Sequence, residues 1–262
     1  MKRHQIIAIA GLCAILAGCA APPPRLQAVR DFAADAPQLD AYAELTERFR
    51  ATYQREKPYL SPQADVREHE IDRQRQAVCD DLIAIHLGVQ AYMRALGQLA
   101  SDKRYNPEDQ VKGISTSIKA WPGTGLDDRH VNAYAGIARL LTREAGQDYQ
   151  DRSLQTLLRD GAVPMQTLLE AMHTLLRYYS KTSDNEAGIV LGMLEMEIPY
   201  ADSPQDRLLS ALAKVQQQSK QAEYSQMGRR YTVAEHSLDT LAQAHRDLLL
   251  RLDPPITTTP KE

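Results

Sequence analysis

The chain is 262 residues long, carries a formal net charge of −3, and has charged residues at a quarter of its positions. That balance excludes the clustered basic footprint of a nucleic-acid binder, and three cysteines are too few for a disulfide-stapled scaffold. The length suits one substantial core or two small ones. In chain order, Met1-Lys2-Arg3 precedes an apolar run from Ile6 to Leu16. About eleven residues match the apolar stretch of a secretory signal and fall short of the ~20 needed to span a bilayer. No later apolar run reaches that length.

The run closes on Leu16-Ala17-Gly18-Cys19, which resembles the lipobox of bacterial lipoproteins. The resemblance covers only the first nineteen residues, where charge, apolar length, small residues and cysteine fall in order. It implies a signal peptide over 1–18, cleavage before Cys19, lipid attachment to the Cys19 thiol and acylation of the new N-terminus. Ala20, where related inner-membrane lipoproteins tend to carry Asp, favours the outer membrane, with the mature domain facing the periplasm. Each buried acyl methylene is worth ~0.8 kcal/mol, so two or three chains hold durably. Loss of residues 1–18 removes Lys2 and Arg3 and no acid, leaving 29 basic (31 less two) against 34 acidic side chains, a net −5. Cys79 then remains as the one free thiol, and its place beside an apolar seam predicts burial.

Residues 19–36, with Pro22-Pro23-Pro24, read as a tether reaching up to ~50 Å. Residues 253–262 read as a disordered tail. Between them the domain of residues 37–252 shows helical periodicity almost throughout, with no convincing strand alternation. A first helix is expected from Pro37 to Lys57, with Leu39, Tyr42, Leu45, Phe49 and Tyr53 inward. Next, Ile71, Val78, Ile85, Tyr92 and Leu99 recur every seven residues, with Leu82, Val89 and Leu96 between them. That heptad predicts one helix over 63–100, interrupted in its seam only by Arg75.

Asn106-Pro107 is expected to start a short helix, stopped by the loop from Trp121 to Gly125. Asp127 or Asp128 caps the next, with Val131, Tyr134, Ile137, Ala138 and Leu141 inward. A helix around Leu154, Leu157 and Leu158 should end at Gly161, and Pro164 should open another. Ser183-Asp184-Asn185-Glu186 matches a capping box and predicts a further start there. Ser203-Pro204 opens a last helix to Leu252 with two registers, Leu208, Leu212, Val215, Ser219, Ala222 and then Tyr231, Ala234, Leu238, Leu241, His245, Leu248. The expected fold is all-α: an elongated bundle in which two long coiled-coil-like helices pair antiparallel, with several shorter helices at one end.

Chemistry is thin. Glu170 and His173 form one Glu-x-x-His pair, where a di-iron bundle needs two pairs and two further glutamates. Asp127 and His130 echo it weakly, and neither a zinc-protease nor a nucleophile-elbow motif occurs. Glu68-His69-Glu70 and Asp80-Asp81 read as solvated faces, and His245 as a core histidine. Tyr178-Tyr179, Tyr200 and Trp121 are expected at helix ends or loops, where they seal the ends of the bundle, the alternative being that they meet a partner. The expectation is a membrane-anchored, non-enzymatic scaffold or adaptor that needs no cofactor. Its partner would be another envelope protein or a second copy, the unfinished seams at Arg75, Ser219 and His245 awaiting that partner. The alternative is an envelope metal-binding or enzymatic bundle using Glu170 and His173.

Overall fold

The computed structural model describes residues 24–101, 117–143, 150–200 and 203–252, with 105, 106, 108, 112 and 114 between them. Cys19, the signal segment and residues 253–262 lie outside the described residues, as does most of the short helix expected from Asn106. The described residues are all-α. In chain order the helices are α1 (Pro24–Ala34), α2 (Asp40–Arg50), α3 (Thr52–Glu56), α4 (Pro62–Leu99), α5 (Asp128–Leu141), α6 (Gln150–Glu197) and α7 (Arg207–Leu252). No described helix is long and apolar enough to cross a membrane.

The α4 reading holds nearly to the residue. Ser61 caps it by accepting from the Ala64 amide at 3.3 Å, and Pro62 takes the first turn, where its missing N–H costs nothing. Leu82, Ile85, Val89, Tyr92 and Leu96 are fully buried, whereas Ile71 near the helix start is 39% exposed. Asp127 caps α5 as expected, with His130 closing the box through Nδ1 and the Asp127 amide at 3.1 Å.

Three expectations need correction. Residues 24–34, read as tether, form α1: Val29 and Phe32 are buried, and Arg30 Nε donates to the Ala100 carbonyl at 2.6 Å. Prolines that extend a chain also fit a helix's first turn, and here the packing of Val29 and Phe32 decides. The expected breaks at Gly161, Pro164 and Ser183–Glu186 do not occur, because α6 runs through all of them for 48 residues. A β-carbon on Gly161 would come within 2.5 Å of the Tyr92 ring, so this glycine permits the close approach of α4 and α6. The Pro164 ring packs over Gly136 of α5, one of the tertiary contacts that offset its lost hydrogen bond.

The third correction concerns pairing. The two long helices foreseen as antiparallel partners, α4 and α7, run in the same direction and are both opposed to α6. Tyr92 donates to the Leu157 carbonyl at 3.3 Å near the start of α6. Phe49, under the Arg75 guanidinium, stacks on Tyr179 further along. His173 meets Asp239, and Glu186 meets Tyr224. Helix α6 is therefore the central rod, with α4, α5 and α7 antiparallel to it and α2 and α3 alongside. A helix gripped along its length stays helical through residues that end exposed helices.

The glycines give a paired test. Gly161→Ala is expected to destabilise by about 1–3 kcal/mol through overpacking against Tyr92. Gly228→Ala, with no atom within 4 Å of the new methyl, is expected to stabilise by about 1 kcal/mol. Urea unfolding of the two variants checks both signs.

Candidate functional site

The two ends of the α6–α7 hairpin differ. At the α1 end, His245 is fully buried between the Phe32 ring (centroids 5.4 Å apart) and Tyr92, whose hydroxyl lies 3.3 Å from Nε2. Burial, with Arg246 adding to it, lowers the His245 pKa to about 4, so it is a neutral core histidine, as its register predicts. Arg75 is buried too, paired to Asp72 at 3.1 Å with its guanidinium over Phe49. Both side chains are thus turned into this chain's own core, with the buried Nδ1 of His245 left without a hydrogen-bond partner among the described residues. Ser219 is exposed.

At mid-hairpin lies the densest charge cluster, which sequence reasoning missed. The Glu186 side chain is fully buried, its carboxylate gripped by Arg55 through Nε at 2.8 Å and Nη2 at 2.6 Å. Tyr224 donates to the same carboxylate at 3.0 Å, and Arg48 approaches it at 3.5 Å while pairing with Glu223 at 3.0 Å. Burial, then Glu186 itself, pushes the Tyr224 phenol up, so it remains a donor. For Arg55, burial opposes the charge and Glu186 outweighs it. The adjacent Glu56, 3% exposed, has its pKa raised to about 7, first by burial and then by Glu68 and Glu186. The cluster clamps α2 and α3 onto the α6–α7 hairpin. The capping-box reading of Glu186 is thereby overturned. One signal was present in the sequence: Glu186 stands in phase with Tyr179, Val190 and Leu194, a carboxylate on an apolar row.

The foreseen metal pair is not brought together. Glu170 is half exposed and faces Arg129 at 3.5 Å, while His173 Nε2 turns to Asp239 at 3.2 Å. Among the described residues no group of three or more His, Cys, Asp or Glu side chains could hold a metal. Asp80 pairs with Arg50, and Asp81 accepts from the Lys119 amide. Glu70 pairs with Arg73 and Glu68 with Arg67, all within α4, and His69 lies against the Tyr53 ring. Cys79 is fully buried, and burial pushes its thiol up against the opposing pull of Arg50.

The aromatic residues divide. Trp121 and Tyr178 pack edge-on at 5.8 Å, and Tyr179, expected near a helix end, is 1% exposed in the middle of α6. Only Tyr200 of that group is free to meet a partner, at 84% exposure. It belongs to the far tip of the hairpin, where Met196, Leu208, Leu212 and Val215 are also mostly exposed. A second feature is a groove of about 270 Å³ between α2 and α7, walled by Leu39, Leu45, Val233 and Leu238 and edged by the Glu44–Arg230 ion pair.

No family model, curated protein or solved structure matches this chain. What the fold and these sites define is an all-α rod whose Glu186 cluster holds helices together and which exposes a run of apolar side chains at the far tip of the α6–α7 hairpin.

Proposed function

We propose that the protein is a non-enzymatic lipoprotein of the bacterial envelope: a helical scaffold or adaptor, anchored by lipid on Cys19 to the outer membrane and presenting its domain to the periplasm. The observation that carries this reading is the lipobox sequence, and the placement of α1 supports it. Five residues from Cys19 to Pro24 reach at most ~18 Å, so the α1 end stays close to the bilayer. Along α7, Leu208 stands 37 residues from His245, ~56 Å at 1.5 Å per residue. The apolar tip is thus held away from the lipid, where it can meet protein. The Glu186 cluster clamps α2 and α3 onto the α6–α7 hairpin, a rigidity that suits a scaffold.

Cys19→Ser tests the anchor. The substitution is expected to abolish incorporation of labelled palmitate and to move the protein from the membrane pellet to the soluble fraction. Undiminished sedimentation with membranes contradicts the reading.

A further inference from the structure

The far tip of the α6–α7 hairpin carries an apolar face that this chain leaves uncovered. On α6 and the turn after it, Met193, Met196 and Tyr200 are spaced three and four residues apart and are 36%, 69% and 84% exposed. On α7, Leu208, Leu212 and Val215 are spaced four and three and are 72%, 59% and 63% exposed. Ser219 and Ala222 continue that spacing, so the α7 stripe is a regular heptad seam lying on solvent. Each stripe trails its own helix's buried row by roughly 90–130° of helical rotation. On antiparallel neighbours, offsets in the same rotational sense fall on the same side of the pair, so the two stripes form one face. The α7 stripe carries no charged residue, and the α6 stripe is edged by the exposed Glu197, four residues after Met193 and three before Tyr200.

We propose that this face is covered by the same face of a second copy of the chain, two hairpins closing a four-helix bundle at the tip. At roughly 100 Å² or more per side chain, the six residues expose on the order of 600–700 Å² per copy. Two copies bury ~1,200–1,400 Å², within the range of a standard stable interface. Lone monomers rarely leave so large a patch open. Two heptad seams on one hairpin are what a two-hairpin bundle core requires of each copy, and a two-fold contact places each face on itself. The contact is independent of the lipid anchor.

Thiol cross-linking tests it with full-length chains in their native membranes. Val215→Cys, co-expressed under two different tags and treated with a short bismaleimide, is expected to give a covalent species of twice the chain mass containing both tags. Val163→Cys, on an exposed residue in the body of α6, is expected to give at least tenfold less. Adding Leu212→Asp is expected to abolish the Val215→Cys product while leaving the melting curve unchanged. The proposal is overturned by Val215→Cys remaining monomeric, by cross-linking to a foreign protein in place of a second copy, or by equal yields at 163 and 215.

Discussion

Glu186→Ala is expected to cost about 3–5 kcal/mol of folding stability, the range for removing one partner of a buried ion pair. The Arg55 guanidinium, bonded to both carboxylate oxygens at 2.8 and 2.6 Å, would be left without its counter-charge. Tyr224 would also lose its acceptor. Arg48 suffers less, because Glu223 remains at 3.0 Å and is itself partly exposed. The double variant Glu186→Leu with Arg55→Leu removes both charges and is expected to recover most of the loss, since apolar residues of similar volume commonly replace a buried pair without net cost. Urea midpoints for the two variants separate the cases. A Glu186→Ala chain within about 1 kcal/mol of the parent would mean that the cluster does not clamp the hairpin.

The second large effect is on acid. His86 and His245, 3% and 0% exposed, have pKa values lowered from the ordinary 6.5 to about 4, in both cases first because burial disfavours the charged form. Between those values the unfolded chain binds more protons than the folded one, so stability falls as pH drops from 6.5 through 4. The upper bound is about 3 kcal/mol per histidine, at 1.36 kcal/mol per pKa unit. Glu56 works the other way. Its pKa is raised from 4.5 to about 7, so the folded state binds more protons in that window and gains stability as pH falls through it. The net expectation is a loss of about 3 kcal/mol between pH 7 and pH 4, from two histidines opposed by one carboxyl. Glu56→Gln is expected to raise the melting temperature at pH 8 by several degrees and to leave it unchanged near pH 4. His245→Phe is expected to flatten the acid limb. Calorimetric scans across pH 4–8 read both, and a parent protein equally stable at pH 4 and pH 7 contradicts the assignment.

These two sites also show where sequence reading succeeds. Helix α4 was legible because its seam is narrow and its start carries a Ser-Pro signal, two cues that agree. His245 was legible because its register placed it among Leu241 and Leu248. Helix α6 was not, since Gly161, Pro164 and Ser183 each end an exposed helix, and only packing against α4, α5 and α7 carries the chain through them. Helix α1 was hidden by the prolines before it, although Leu26, Val29, Phe32 and Ala36 recur at helical spacing. The Glu186 cluster draws on four separated segments, α2, α3, α6 and α7, so no local motif encodes it, and Ser183–Glu186 matches a capping box only locally. The same limit applies to α7. Its heptad was read correctly, but only the structure separates the buried register from Tyr231 onward from the exposed one at 208–215.

The proposed arrangement is an upright rod, lipid-held at the α1 end with its apolar tip displaced from the bilayer. Energy transfer to acceptor lipids tests it on the acylated protein, labelled once at Gln27→Cys or once at Val215→Cys, with Cys79 buried and unreactive. Strong transfer from position 27 and little from position 215, ~50 Å further out, is the predicted result. Equal transfer from both, or stronger transfer from 215, would mean that the rod lies on the membrane or stands the other way up.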